Sequence, residues 1–246
     1  MDSLGWKAQI GIVVPSTNTI VQPECEALRP AGVTNHVSRA HIRERKISGE
    51  KEYMEHVAAM RAGIGDAIDR VMTSQPQHLV MGIALEAFWG GVEGAAKLEK
   101  ELSERSGVGV SMGSNATRAA LEAFGARRIA VLTPHQPRGD EMVRLFLEEA
   151  GFEIVRLKSL RCASPRAIAQ VKAEDVRAAY AELDGDNVDA LLQVGTNLAG
   201  MAVAAEVEKT VGKPVLSMNV ITYWHALRAL GIEDPIAGYG RILEEF

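Results

Sequence analysis

Cysteine is nearly absent from this chain: Cys25 and Cys162 are the two among 246 residues. They form no CxxC or Cys/His ligand spacing, and one pair in so long a chain is no disulfide framework. That predicts a reducing cytoplasm. An excess of basic residues is also lacking, with 27 Lys+Arg against 32 Asp+Glu and a formal net charge of -5. No segment concentrates positive charge, so nucleic acid is not expected as a partner. The N-terminal apolar run Ile10 to Val14 is short and no span of about 20 apolar residues occurs elsewhere, so neither a membrane segment nor a secretory leader is expected. HxH and HExxH motifs and metal-spaced Asp/Glu pairs are missing, and no metal or cofactor is predicted. Gly90-Gly91 is no phosphate loop, since no lysine follows at the required spacing. What is present is ordinary globular composition, 47% hydrophobic and 24% charged, which sets aside disorder, collagen and coiled coil.

Short β-branched runs alternate with longer amphipathic stretches, the pattern of buried parallel strands joined by crossover helices. Strands are predicted at 8–14, 33–39, 78–83, 107–112, 128–133, 153–160, 189–194 and 214–218. Helices are predicted at 52–73, 91–105, 114–124, 139–151, 172–184, 200–211 and 220–230. The fold class is α/β, built of βαβ units.

An internal repeat refines this. Ile10-Gly-Ile-Val-Val-Pro15 recurs as Ile129-Ala-Val-Leu-Thr-Pro134, an apolar run ending at Gly82 recurs as one ending at Gly195, and Gly109-Val-Ser-Met112 recurs as Val215-Leu-Ser-Met218. Three pairs in one order predict two pseudo-symmetric lobes, each a parallel sheet flanked by helices. The first covers 1–113, with 219–246 packing back on it; the second covers 114–218. Ligands of open parallel sheets sit beyond the carboxyl ends of the strands, which places the site in the cleft between the lobes. Six post-strand turns converge there. Pro15, Ser16, Thr17, Asn18, Gly82, Ser114, Asn115, Gly195, Thr196 and Asn197 are the candidate substrate-binding residues. The neutral donors among them stand at or near helix starts, where free N–H groups favour an anion, so a small carboxylate is the expected ligand. Ser, Thr and Asn at helix starts also serve as N-caps, and that use stays open for each one singly.

At these turns the chain resembles the aspartate/glutamate racemase superfamily, in the branch of maleate cis-trans isomerases and arylmalonate decarboxylases. Gly11-Ile-Val-Val-Pro-Ser-Thr-Asn-Thr19 resembles the isomerases; Val80-Met-Gly-Ile-Ala-Leu85 through Trp89-Gly90, and Gly238-Tyr-Gly-Arg241, resemble the decarboxylases. The resemblance implies two pseudo-symmetric lobes, no cofactor, and a substrate carboxylate held by Ser16 to Asn18. It also implies a cysteine on each lobe, or on the second alone in the decarboxylases, at the places held here by Gly82 and Gly195. Cys25 and Cys162 match neither.

Glycine at both places removes the usual acid/base pair of a racemase and the thiolate of an isomerase. Decarboxylation through an enediolate asks only for an apolar pocket, donors for the developing charge and a proton source. His135, titrating near neutral pH, and Glu86, in an apolar run, are the candidate catalytic groups. Phe88 and Trp89 are expected to wall the substrate, and the two glycines to widen the pocket floor. Three readings stay open: a cofactor-independent, decarboxylase-like lyase acting on a small carboxylic acid; a maleate-type isomerase or a racemase using non-cysteine groups; and a degenerate carboxylate-binding protein. A hydrolase with water activated by His135 or Glu86 stands beside them. The sequence leaves open a homo-oligomer.

Overall fold

The computed structural model describes residues 2–44 and 49–246. Eleven helices and eight strands are assigned among these residues. In the first half, β1 (Ala8–Pro15), α1 (Val21–Ala27), β2 (Val33–Ala40), α2 (Glu50–Met72), β3 (His78–Met81), α3 (Ala84–Phe88), α4 (Gly91–Ser106), β4 (Gly109–Met112) and α5 (Gly113–Ala123) follow one another. The second half runs β5 (Arg128–Thr133), α6 (Pro137–Glu149), β6 (Glu153–Ser159), α7 (Pro165–Ala169), α8 (Ala173–Leu183), β7 (Ala190–Gln193), α9 (Met201–Val211), β8 (Val215–Ser217), α10 (Met218–Ala229) and α11 (Ile242–Glu245). All eight predicted strands and all seven predicted helices are present. The additions are the short α1, α3, α7 and α11, of four to seven residues, too brief to show a helical period.

The strands form two four-stranded parallel sheets, ordered β2-β1-β3-β4 and β6-β5-β7-β8. Matching β5 to β1 makes the two orders identical, so the sequence repeat is a repeat of topology. Central parallel strands are covered on both faces, and accordingly Ile10, Ile12, Val13 and Val14 in β1 and Ile129 to Leu132 in β5 are all fully buried.

Strand pleating sends successive side chains to opposite faces. Ile129 and Val131 enter a core that runs through the first lobe and across the interface, whereas Ala130 and Leu132 enter a second core with Val176, Tyr180 and Val203. The lobes therefore share apolar packing. α5 and α10, the helices that follow the last strand of each sheet, pack on each other, and α10 also packs on α1, β3 and β4.

A buried carboxylate ties the same interface. Glu24 in α1 accepts from the Met201 amide opening α9 (3.2 Å) and from Asn219 Nδ2 opening α10 (2.6 Å). Burial pushes its carboxyl up to about 7 against those two hydrogen bonds. No helix of the described residues is long and apolar enough to cross a membrane.

Candidate active site

A cavity of about 90 Å³ lies between the carboxyl ends of the two sheets. Pro15, Thr17 and Asn18 reach it from the turn after β1, Ile83 to Leu85 from the region after β3, Pro134 and His135 from the turn after β5, and Gly195 to Asn197 from the turn after β7. The remaining wall was not foreseen. Ile42 follows β2, Tyr53, His56 and Met60 project from α2, and Cys162, Ser164, Pro165 and Ile168 come from the β6–α7 connection and α7. Sequence reasoning passed over Tyr53 because its helix carries a continuous amphipathic pattern, in which a tyrosine reads as core.

Hydrogen bonding divides this wall. Thr17 apart, the polar side chains that the β1 and β7 turns bring to the cavity are spent on local structure and on stitching the lobes together. Asn18 Oδ1 accepts from the Ile20 and Val21 amides at 3.0 Å, capping the start of α1, while Asn18 Nδ2 donates to Thr196 Oγ1 at 3.4 Å. Thr196 Oγ1 donates in turn to the Gly82 carbonyl at 3.0 Å. Asn197 Oδ1 accepts from the Thr19 amide at 2.9 Å and its Nδ2 donates to the Pro165 carbonyl at 2.8 Å. What these turns keep for a ligand are the Thr17 hydroxyl and the backbone amides of Thr17, Thr196 and Asn197, none of which donates to another described residue.

On the other side, His135 Nε2 and Tyr53 Oη are buried and have no hydrogen-bond partner among the described residues. The His135 backbone is fixed: its amide donates to Thr133 Oγ1 (3.3 Å) and its carbonyl accepts from Ser159 Oγ (2.7 Å). Burial pushes the imidazole down to about 4, so it is neutral at pH 7. The Cys162 thiol is raised by burial, and its backbone is pinned to the same loop through Pro134 O and Gln136 Nε2.

Several sequence-predicted site residues lie outside the wall. Ser16 Oγ exchanges hydrogen bonds with the backbone of Ile42, both at 3.0 Å. Gly82 lies beneath it. Asn115 bonds the Met112 amide and the Val110 carbonyl, both at 2.9 Å, and Ser114 is buried beside it, so this turn caps α5. Glu86 points to a separate groove between α2 and α4, where it pairs with Arg61 Nε at 2.5 Å; burial raises its carboxyl and Arg61 opposes the rise. Phe88 is fully buried edge-to-face on Phe146, and Trp89 lies under the guanidinium groups of Arg61 and Arg138, so neither walls the cavity. The helical frame of α3 turns these side chains away from Ile83 to Leu85. Cys25 is buried in the core.

A family model described as arylmalonate decarboxylase matches residues 10–243. The chain belongs to that family. A maleate isomerase of Nocardia farcinica (strain IFM 10152) is 27% identical over 96% of both chains, and an arylmalonate decarboxylase of Bordetella bronchiseptica is 31% identical over 68% of this chain and 70% of its own. Among solved structures, a cysteine-to-serine variant of the Nocardia farcinica maleate cis-trans isomerase, with a covalently bound succinylcysteine intermediate, superposes with a TM-score of 0.88 at 27% identity, covering 97% of this chain and 99% of its own. These relatives are enzymes.

Within this family the two glycines prove not to widen the floor. A Cβ on Gly82 would lie 2.7 Å from Val14 and 3.0 Å from Val21, and one on Gly195 would lie 2.7 Å from the Pro134 ring. Neighbouring apolar atoms occupy the space that thiols would need.

Proposed function

We propose that the chain is a lyase of its family that acts on a small carboxylic acid through an enediolate, with His135 moving the proton. The observation that carries this is the buried, unpartnered Nε2 of His135 on a cavity far smaller than the roughly 300–1,000 Å³ of sites for drug-sized ligands. Only an acid of a few carbons suits such a volume. Its retained carboxylate lies at the backbone amides of Thr17, Thr196 and Asn197, held in place by the stitched side chains. When the leaving carboxylate departs as CO2, the electron pair of the broken C–C bond passes into the retained carboxylate as an enediolate. An arriving anion favours the imidazolium form of His135, which burial disfavours; the charged ring then donates its proton to the carbon. Binding therefore takes up a proton. Screening malonates, maleate and amino acids with product analysis tests the reading, and calorimetry in buffers of different ionisation enthalpy should register the proton taken up. An enzyme that turns over none of these acids, or binds them without proton uptake, would sink it.

A second reading is favoured by Cys162, whose place on the wall the sequence did not anticipate, and by the full-length similarity to maleate isomerases. In it the Cys162 thiolate adds to an unsaturated acid, the carbon–carbon bond rotates, and elimination returns the thiolate. Cys162→Ser separates the two readings: the lyase keeps most of its activity and the isomerase loses it. Alkylation does not separate them, because a group attached at Cys162 fills the cavity under either mechanism.

A further inference from the structure

Tyr53 stands in the second turn of α2 with its ring packed on Val57, Leu85 and Trp89. Only 4% of the residue is exposed, yet its hydroxyl has no partner among the described residues. Leaving a buried hydroxyl without a hydrogen bond is costly to stability. Phenylalanine would fill the same apolar pocket without that cost.

The hydroxyl shares a notch with the root of the His135 side chain, whose Nε2 is the other cavity atom without a partner among the described residues. A Cβ built on Gly139 would meet Tyr53 Oη at 2.5 Å and His135 Cβ at 2.8 Å, so the phenol and the imidazole share one notch over the first turn of α6. Gly139 is helical and has no left-handed backbone to explain it, and glycine within a helix is disfavoured relative to alanine. The notch supplies the missing reason. Any side chain there would displace both groups.

We propose that Tyr53 is a substrate-contacting residue, whose phenol donates to the oxygen of the carboxylate or enediolate that His135 serves. This rests on the carboxylate reading of the cavity and adds a residue to it. Burial, reinforced by the nearby carboxylates of Asp140 and Glu86, raises the phenol far above its ordinary value. The hydroxyl thus stays protonated and keeps a proton to donate. It is the complement of a neutral histidine: one group gives a hydrogen bond to developing negative charge while the other exchanges the proton. The two come from opposite lobes, α2 and the β5–α6 turn, so the pair is complete only with the lobes in this arrangement.

The test uses the full chain, with malonate and succinate as binding probes, and compares Tyr53→Phe, Gly139→Ala and His135→Ala. Tyr53→Phe should keep or raise the melting temperature, since it removes an unpaired hydroxyl, while weakening binding of the better probe about ten- to hundredfold. Gly139→Ala keeps the hydroxyl but displaces it, and should reproduce the loss. Tight binding by Tyr53→Phe, alongside weakened binding by His135→Ala, would overturn the role of Tyr53 and leave the carboxylate reading standing. If neither probe binds the wild-type chain, or if neither Tyr53→Phe nor His135→Ala weakens binding, both fall. A Tyr53→Phe chain that melts several degrees lower would mark the hydroxyl as structural and would also overturn the proposal.

Discussion

The two sides of the cavity differ in how their polar atoms are used. On the β1–β7 side, the side chains of Asn18, Thr196 and Asn197 are satisfied, Asn18 by Thr196 and the others by backbone groups of Thr19, Gly82 and Pro165. On the α2–α6 side, Tyr53 and His135 leave buried atoms unsatisfied. Since nearly all buried polar groups in native proteins find partners, the satisfied side reads as architecture and the unsatisfied side as the place where a ligand completes the bonding. The residues most conspicuous as a motif, Ser16 to Asn18, belong mainly to the first kind.

Replacing His135 is the sharpest way to separate the two sides. A general acid or base contributes roughly 10²–10⁴-fold, so His135→Ala should lower turnover of the acid found by screening by about that factor. The fold should survive, because the ring makes no hydrogen bond through Nε2. Turnover within threefold of wild type would move the chemistry off this wall.

Adding a thiol at Gly82 and at Gly195 comes next in size. Gly82→Cys must displace Val14 and Val21, and Gly195→Cys must displace the Pro134 ring while adopting φ of +147°, a conformation that favours glycine. Overpacking of this kind costs about 1–3 kcal/mol, with backbone strain added at Gly195. Denaturant melts should show that loss with no gain in turnover. A well-folded double variant with new isomerase activity would mean that the neighbours yield easily and that the glycines are a recent loss rather than a repacked site.

The stitched side should respond in the opposite sense. Asn197→Ala removes bonds to the Thr19 amide and the Pro165 carbonyl, and Asn18→Ala removes the cap of α1 together with the link to Thr196. Each should cost about 1–2 kcal/mol of stability, while turnover falls less than in His135→Ala. A hundredfold loss of turnover with unchanged stability, in either variant, would make that side chain a ligand contact and erase the division between the walls.

How much of this was legible follows from which signals are local. Strand runs such as Ile10 to Val14 and Ile129 to Leu132 carry their burial in their composition, and the repeat between them carried the topology. The turns after β1, β5 and β7 were placed correctly because strand ends determine where they emerge. The failures are of direction. Glu86 and Trp89 follow Ile83 by only three and six residues, but the phase of the five-residue α3 directs them away from the cavity, and nothing in so short a helix sets that phase locally. Asn115 and Ser114 obey the ordinary capping use of their residue types. Tyr53 and Cys162 reach the cavity only through the packing of α2 and the β6–α7 connection against the opposite lobe, a long-range fact with no motif. Gly139 was the one available signal, a glycine in an otherwise regular amphipathic helix.

The smallest effect, and one that weighs the two sides directly, is the dependence of stability on pH. His135 on the open side and His78, which bonds Ser111 Oγ at 2.8 Å, are both pushed by burial from 6.5 down to about 4. A group with a lowered folded value binds its proton in the unfolded chain first, so each contributes stability that is present above pH 6.5 and lost as pH falls toward 4. Glu24, whose partner Asn219 also donates to the Thr196 carbonyl, is raised by burial from 4.5 to about 7. Its contribution has the opposite sign: present below pH 4.5 and lost as pH rises toward 7. Between pH 4.5 and 6.5 the unfolded chain therefore takes up two histidine protons and the folded chain one carboxyl proton. For these three groups alone, the difference of about one proton makes stability fall by roughly 1.4 kcal/mol for each unit of acidification. His135→Ala should flatten that slope by leaving His78 and Glu24 to cancel, and Glu24→Gln should steepen it. Urea denaturation across this window measures both, and a slope in His135→Ala equal to that of wild type would show that His135 is not held neutral by its burial.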